Sequence, residues 1–327
     1  MEKFEFHNPV RVIFGPGEVK RVGTEAKALG KKALVVSYKD HAFSSDLLSR
    51  VEKDLAAAGV TPVSFYEVTA NPTIEQVEAG VKAAKAAGVD VVIGIGGGSA
   101  MDAAKVIAAG VLYPLEPWRM IVARHDKADA VSHVMELYLN GVDDTPFQDR
   151  LMEGIILTVM ECAAKLQLNA KDLAARTNLM WAATVAWNGW TNPGCASTTP
   201  MHLVAHTISA HFHVTHGATL AIVMHAWMRR FCKNRLPRYA QFGERVFGMS
   251  AKGKGPEKFA LEVIDRFESW RKGLGVQTML PELGVGKDKI DMLMDDIVRV
   301  SFGADGKLGA RVPASKDDVR AILQLAL

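Results

Sequence analysis

The sequence contains few cysteines, and their spacing excludes two classes of protein. Only three cysteines occur in 327 residues, Cys162, Cys195 and Cys232, and no two of them form a Cys-x-x-Cys pair. A disulfide framework needs a denser, even-numbered set, and a thiolate zinc site needs paired cysteines. The pattern predicts free thiols in a reducing compartment, which indicates the cytoplasm.

The sequence also lacks a basic run and a long apolar run. Its 39 basic residues nearly balance its 36 acidic residues, whereas a nucleic-acid binder would show a basic face. The most apolar stretch, residues 91–112, is interrupted by Asp102 and Lys105 and does not predict a membrane span of about 20 apolar residues. The charged start MEKFEFHNPV does not resemble a signal peptide. We expect neither nucleic acid nor a membrane as a partner.

Strand and helix patterns alternate in the first third of the chain. Apolar, partly β-branched runs at residues 10–14, 32–37, 62–66 and 89–94 predict strands. Apolar residues at helical spacing predict helices at residues 47–58 and 73–87. Strands that alternate with helices form parallel sheets with right-handed crossovers. We therefore predict an α/β Rossmann-like domain over residues 1–122.

The remaining chain contains hardly any β-rich run. Apolar residues recur at helical spacing at 151–168, 173–188, 202–213, 220–231, 259–274 and 316–327. We predict that residues 123–327 form a second, all-helical domain, and 327 residues are enough for two ordinary cores.

A glycine-rich turn follows the strand predicted at 89–94. Four of the five positions 94–98 are glycine, and Ser99 and a helical pattern come next. Glycine lets a backbone approach an anion closely, and a helix N-terminus offers free N–H groups to a pyrophosphate. Asp102 complements the helix dipole or contacts a cofactor amide. The spacing is not GxGxxG, and the alternative is a tight turn without a ligand, but this context favours a dinucleotide.

The end of the strand at 32–37 indicates which dinucleotide is bound. A NAD-selective fold usually places an acidic residue there to bind the ribose hydroxyls. This sequence has Tyr38 and Lys39 instead, with Asp40 one position later. Lysine would attract a 2′-phosphate, so the sequence favours NADP over NAD, although Asp40 weakens that preference.

Histidines are concentrated in one part of the chain. Six of the ten lie between His202 and His225. Asp129 and His133 are four residues apart, as are His202 and His206, so each pair lies on one helical face. A single histidine is more often a satisfied polar residue than a ligand, but a carboxylate with several imidazoles suits Fe(II) or Zn(II) better than Mg or Ca. We predict a metal site here.

Three motifs in register resemble one known family. GIGGGSAMDAAK, DAVSHVMELY and H-x3-H-x9-HG occur in this order, as in the iron-containing (group III) alcohol dehydrogenases. The start FEFHNPVRVIFGPGEV and the tail KLGARVPASKDDVRAILQLAL are also similar, so the resemblance covers nearly the whole chain. It is nearest to the butanol dehydrogenase-like branch, which generally uses NADPH on aldehydes.

The resemblance implies a role for each matching residue. The metal ligands would be Asp129, His133, His202 and His216. The cofactor would be lined by Gly96, Gly97, Gly98, Ser99 and Asp102. To these we add Asn71, from the Asn-Pro-Thr phrase that also matches the family, and Tyr38 and Lys39, from their position at the strand end. His206 would lie beside the nicotinamide, as a proton-relay residue or as a hydrogen-bond partner of a ligand or backbone group. The family's N-terminal strand commonly pairs across a homodimer.

One departure from the family concerns the residues before Asp129. The family has some tens of residues there, with a Thr/Ser-rich turn and a glutamate that helps to bind the cofactor. In this sequence PWRMIV passes almost directly into ARHDKAD. Either the protein is naturally shortened between Val122 and Ala123, or a segment is missing from the chain.

The resulting hypothesis is a metal-dependent oxidoreductase. It would transfer a hydride between NAD(P)H, NADP(H) being favoured, and a small primary alcohol or aldehyde, with Fe2+ or Zn2+ as a Lewis acid. Two alternatives remain open. One is a dehydroquinate synthase-like lyase, and the other is a shortened paralogue that binds metal without catalysis.

Overall fold

The computed structural model describes residues 10–40, 44–112, 130–195, 198–212, 214, 216–275, 277–309 and 311–327. The chain divides into one compact unit within Val10–Asp126 and another that runs from Lys127 to Leu327. The boundary predicted between residues 122 and 123 lies outside the described residues and stays a prediction.

The first unit contains a parallel sheet of three strands. They are β1 (Lys32–Tyr38), β2 (Thr61–Val68) and β3 (Val91–Gly94), in the order β2-β1-β3. The helices α2 (Ser45–Ala57) and α3 (Ile74–Ala87) connect them. The predictions at 32–37, 62–66 and 89–94 are therefore confirmed as strands of a parallel α/β sheet.

Helices pack on both faces of this sheet. Since side chains alternate along a strand, Leu34 and Val36 of β1 join the core formed with α3 and with α4 (Gly98–Leu112). Ala33 and Val35 point the other way, into the core formed with α1 (Val22–Lys27) and α2. All four side chains are completely buried. Burial on both faces explains why β1 is a continuous apolar run.

The strand predicted at residues 10–14 is not confirmed. The segment belongs to no strand of the described structure, and it leads through a glycine turn into a short 3-10 helix, Glu18–Arg21. Val10, Val12 and Phe14 are exposed. A β-branched pattern reflects a fit to neighbouring strands, and the sheet of this unit does not include the segment.

The second unit is helical, as predicted. Its described helices are α5 (Ala130–Asn140), α6 (Pro146–Leu168), α7 (Leu173–Trp187), α8 (Pro200–Phe212), α9 (His216–Phe231), α10 (Leu236–Phe247), α11 (Pro256–Gly273), α12 (Ile290–Ser301) and α13 (Lys316–Leu325). Three short 3-10 helices, Cys232–Arg235, Leu280–Leu283 and Lys287–Lys289, connect some of them. Among its described residues, β-pairing is limited to one isolated bridge between Leu308 and Ala314.

Helix α9 runs through the core of the helical unit. It packs against α5, α8, α11 and α13, and Leu220, Val223 and Trp227 are buried almost completely. A helix surrounded by other helices is apolar on most sides, which explains the run LAIVM within α9. This packing places the start of α9 beside α8. Within the described part of the chain, no helix is both long and apolar enough to cross a membrane.

Candidate functional site

Four histidines from three helices come together in the helical unit. His133 lies in α5, His202 and His206 lie one turn apart in α8, and His216 is the first residue of α9. The ring centroids are 4.2 Å apart for His133 and His202, 5.7 Å for His202 and His216, and 4.4 Å for His206 and His216. The structure thus gathers three of the four predicted metal ligands and the predicted catalytic histidine. The fourth predicted ligand, Asp129, lies outside the described residues.

Helix geometry accounts for this convergence. Residues four apart share a helix face, so His202 and His206 point the same way from α8, with ring centroids 6.2 Å apart. Helix α8 ends at Phe212 and α9 begins at His216. This short connection returns the chain beside α8 and brings the His216 ring against both histidines.

A buried carboxylate fixes the orientation of His202. Glu136 of α5 is completely buried, and its Oε2 lies within hydrogen-bond distance of His202 Nδ1. The backbone N–H of Met201 donates to Glu136 Oε1 at 2.6 Å, and that of His202 donates to Oε2 at 3.4 Å. Burial raises the pKa of Glu136, opposed by hydrogen bonds from His202 and Met201. This contact assigns the Nδ1 nitrogen of His202 to Glu136.

His216 is held in its neutral form. Both of its ring nitrogens are buried, without a hydrogen-bond partner within the part of the chain that the structure describes. Burial, followed by the neighbouring rings of His206, His202 and His133, lowers the pKa of His216 to about 2. A neutral imidazole is the form that binds metal ions.

The chemistry of these residues fits a transition metal. Among the described residues, no three His, Cys, Asp or Glu side chains form a ready-made metal site. Imidazole nitrogens nevertheless suit Fe or Zn. Buried polar atoms such as the two nitrogens of His216 are normally satisfied by protein, water or an ion. The histidine cluster therefore fits a divalent transition metal.

The glycine turn of the α/β unit is shaped by Tyr38. Gly96 has a φ of 143°, and a Cβ at this position would lie 2.8 Å from Tyr38 Cε2. A Cβ on Gly97 would lie 3.1 Å from Tyr38 Oη. A side chain at Gly96 would therefore clash with the tyrosine ring, and one at Gly97 would crowd the tyrosine hydroxyl. Helix α4 begins at Gly98, so free backbone N–H groups of its first turn are available to an anion.

Two of the other predicted cofactor residues contact each other near this turn, and two others form ion pairs. Asn71 has a left-handed backbone with a φ of 56°, and its N–H donates to Ser99 Oγ at 3.5 Å. Asp102 forms an ion pair with Lys105 at 3.1 Å, and Lys39 lies 3.8 Å from Glu67. The glycine turn thus lies beside Tyr38, and Ser99, which follows it, lies beside Asn71. The ion pairs of Lys39 and Asp102 do not test whether these two side chains contact a cofactor.

Two family models match the chain. The iron-containing alcohol dehydrogenase model matches residues 9–137, and the C-terminal model of the same family matches residues 126–327. Together they span almost the entire sequence. The chain belongs to the iron-containing alcohol dehydrogenase family.

Individual relatives agree with this membership over the full length. The probable NADH-dependent butanol dehydrogenase 1 of Bacillus subtilis is 28% identical, with 100% of both chains covered. The NADPH-dependent aldehyde reductase YqhD of Escherichia coli is 24% identical, covering 90% of this chain and 92% of the relative. The crystal structure of NADH-dependent butanol dehydrogenase A from Thermotoga maritima superimposes with a TM-score of 0.92 at 28% identity, covering 100% of this chain and 99% of the other. The family and the Rossmann-like plus helical fold predicted from the sequence are confirmed.

The length of the alignment bears on the missing segment. It runs over 392 positions in the comparison with the Bacillus subtilis protein, whereas this chain has 327 residues. At least 65 alignment positions therefore have no residue in this chain. The position predicted for this gap, between Val122 and Ala123, lies outside the described residues.

Sequence reasoning missed Glu136. It is the only acidic residue within the α5 segment AVSHVMELYLN, three positions after His133. A lone carboxylate in an apolar helix, one turn from a candidate ligand, is a signal for a buried partner. It could have identified Glu136, although not which histidine it contacts.

Proposed function

We propose that the protein is a metal-dependent oxidoreductase that transfers a hydride between NAD(P)H and a small primary alcohol or aldehyde. The observation that carries the proposal is the cluster of His133, His202, His206 and His216 in a chain of the iron-containing alcohol dehydrogenase family. The lyase alternative is not carried further, since both matching models are those of alcohol dehydrogenases.

Iron is the metal that the family implies, with Zn2+ as the alternative. His133, His202 and His216 would hold it together with Asp129. When bound, the ion supplies a Lewis acid that polarises the oxygen of the substrate. Burial around His202 and His216 excludes water from their side of the cluster.

His206 is placed to move a proton. It is exposed, and its ring stacks on that of His216 with an interplanar angle of 27°. An imidazole reached by solvent can exchange protons with water near neutral pH. We propose that His206 accepts the proton that the alcohol loses during oxidation and donates the proton that the aldehyde gains during reduction.

The test of this function is NADPH oxidation with butyraldehyde by the purified chain loaded with Fe2+. We expect reduction of the aldehyde, and loss of activity after treatment with a strong chelator, restored by Fe2+ or Zn2+. Absorbance at the nicotinamide band and metal analysis of the same sample provide the measurements. Chelator-resistant activity would contradict the metal assignment, and no reduction at all would contradict the function.

At least 65 positions of the alignment have no residue in this chain. Their absence favours a second candidate function, that of a paralogue that binds metal with little or no catalysis. Hydride transfer depends on placement, and an error of about 1 Å can cost about 100-fold in rate. We therefore expect turnover well below the roughly 10 per second typical of enzymes, near 0.1 per second by this estimate. Turnover at the typical rate would show that the segment is dispensable.

We propose NADP(H) as the preferred cofactor, supported by Tyr38 and Lys39 at the end of β1. Relatives differ in this respect, since the Bacillus subtilis protein is named as NADH-dependent and the Escherichia coli protein as NADPH-dependent. Glu67 beside Lys39 weakens the attraction for a phosphate without removing it, because both side chains are exposed.

Replacing Lys39 with aspartate should shift the preference towards NADH. A pair of charges 4 Å apart in water is worth about 1 kcal/mol. Losing an attraction and gaining a repulsion therefore changes the NADPH to NADH ratio of kcat/KM by about 30-fold. Lys82→Asp on the exposed face of α3 is the control for the charge change. An unchanged ratio in Lys39→Asp would place the 2′-phosphate elsewhere.

We also propose a homodimer, supported by residues 10–14. Alternate apolar side chains of this segment, Val10, Val12 and Phe14, are exposed, in the period of a strand that has one face to bury. The mass measured by sedimentation equilibrium on the enzyme preparation checks this, and a monomer at micromolar concentration would contradict it.

We propose the cytoplasm as the compartment. All three cysteines are free and buried, which suits a reducing environment. Fractionation of the source cells with a specific antibody is the measurement, and recovery outside the cytoplasm would overturn the assignment.

A further inference from the structure

We propose that Glu136 is a positioning residue that fixes the tautomer and the ring orientation of His202, so that the ring proton is on Nδ1 and not on Nε2. The inference deepens the proposed function and rests on its assignment of His202 as a metal ligand. No step of the reaction itself is assigned to Glu136.

The contacts of Glu136 leave little choice of role. It is completely buried, and it faces three nitrogens of α8. Two are the backbone N–H groups of Met201 and His202, which can only donate. The third is His202 Nδ1. A carboxylate that accepts from both backbone groups is best satisfied when the third group also donates, which places the ring proton on Nδ1.

The same contacts fix the position of the ring. Pro200 starts α8, and its first-turn N–H groups have no partner within the helix. Glu136 of α5 caps two of them from 65 and 66 residues away in sequence. Helices α5 and α8 are thereby joined where His133 and His202 stack, with centroids 4.2 Å apart. Glu136 thus controls both the ring and the helix end that carries it.

Replacing Glu136 with glutamine separates these two roles. The side-chain carbonyl of glutamine can still accept from Met201 N–H, so the shorter of the two cap hydrogen bonds is retained. Its amide nitrogen then faces His202 Nδ1 as a donor, which moves the ring proton to Nε2. A proton on Nε2 blocks the lone pair, and loss of such a partner typically costs 10–100-fold in metal affinity.

A buried glutamate without a histidine partner provides the matched control. Glu153 of α6 is also buried, and it accepts hydrogen bonds from Tyr138 at 2.8 Å and from Arg245 at 3.1 Å. Glu153→Gln therefore tests whether loss of a buried negative charge in the same unit is enough to weaken metal binding.

The experiment measures tautomer and affinity independently. Nitrogen-15 NMR of histidine-labelled, metal-free full-length protein reports the tautomer of His202, assigned through the His202→Asn variant. Competition with a chromophoric chelator reports the affinity for Zn2+. We expect the proton on Nδ1 in the parent and on Nε2 in Glu136→Gln, with affinity about 10–100-fold lower in that variant and within threefold of the parent in Glu153→Gln.

The outcomes separate this inference from the proposed function. A parent with the proton on Nε2, or a Glu136→Gln variant with unchanged tautomer or with Zn2+ affinity within threefold of the parent, overturns the positioning role. So does an equal loss of affinity in Glu153→Gln. A parent that binds no Zn2+ refutes the metal site of the proposed function, and the tautomer measurement alone then decides the role of Glu136.

Discussion

Replacing His216 with alanine is expected to lower butyraldehyde reduction by about 1000-fold and to abolish tight metal binding. A Lewis-acid metal contributes several kcal/mol to catalysis, and about 4 kcal/mol corresponds to about 1000-fold in rate. His216 is the member of the cluster whose two ring nitrogens are buried and have no hydrogen-bond partner among the described residues. Its imidazole therefore contributes more to a bound metal than to the metal-free fold.

The stability of the metal-free protein provides the second measurement. The His216→Ala variant loses the packing of a ring, but it also loses two buried polar atoms whose desolvation costs about 1–3 kcal/mol each when they are unpaired. These effects oppose each other, so we expect a Tm close to that of the metal-free parent. Added Zn2+ should raise the Tm of the parent and leave that of the variant unchanged.

His225→Ala is the matched control for removing a partly buried histidine from α9. His225 Nδ1 lies 3.1 Å from Glu268 Oε2, and its Nε2 accepts from Arg229 at 3.1 Å. His225 therefore belongs to a group of ion pairs and lies outside the histidine cluster. The control should lose stability and keep its metal and its activity per folded molecule. An active, metal-replete His216→Ala protein would remove His216 from the ligand set.

The sequence correctly predicts those strands of the α/β unit whose apolar pattern is determined by burial alone. Strand β1 is apolar at every position from Ala33 to Val36 because helices cover both faces of the sheet. Residues 10–14 show an equally β-branched pattern, yet they belong to no strand of the described structure. Such a pattern reports that a segment fits a sheet, and it does not report which strand, or which copy of the chain, would pair with it.

Sequence spacing predicts part of the candidate site for a similar reason. Contacts within one helix follow from its geometry, so His202 and His206 could be placed together from their positions alone. The contact between Glu136 and His202 joins two helices, and the pair of Lys39 and Glu67 joins the residue after β1 to β2. Such contacts depend on how elements pack, and spacing within one segment carries no information about them.

Removing the guanidinium of Arg238 is expected to destabilise the helical unit by about 3–5 kcal/mol, the usual effect of breaking a buried ion pair. Arg238 of α10 is buried. Its Nη1 donates to Asp149 at 2.6 Å, and its Nε donates to the carbonyl of Tyr138 at 2.9 Å. Arg238→Ala would leave the buried carboxylate of Asp149 with hydrogen bonds from Gln241 and Thr145 only. Urea unfolding at pH 7 measures the loss.

The pH dependence of this loss identifies its cause. Burial raises the pKa of Asp149, but hydrogen bonds from Arg238 and Gln241 and the charge of Arg238 outweigh it, so the pKa is lowered. The parent therefore gains stability from Asp149 above the unfolded pKa of about 4 and loses it as pH falls through the lower folded pKa. Without Arg238 the burial effect dominates, the folded pKa rises, and the carboxylate destabilises the fold at neutral pH.

The difference in stability between parent and Arg238→Ala should thus be largest near pH 7 and should shrink towards pH 3, where Asp149 is protonated in the variant.

The double variant Arg238→Met with Asp149→Leu removes both charges and should recover most of the loss, because buried ion pairs are often replaceable by apolar side chains. Lys233→Ala is the control, since its ion pair with Glu257 is exposed and therefore contributes little to stability. A loss for Arg238→Ala that is equal at pH 3 and pH 7 would assign its effect to packing over the Tyr138 ring, 4.8 Å from the guanidinium carbon, instead of to the charge of Asp149.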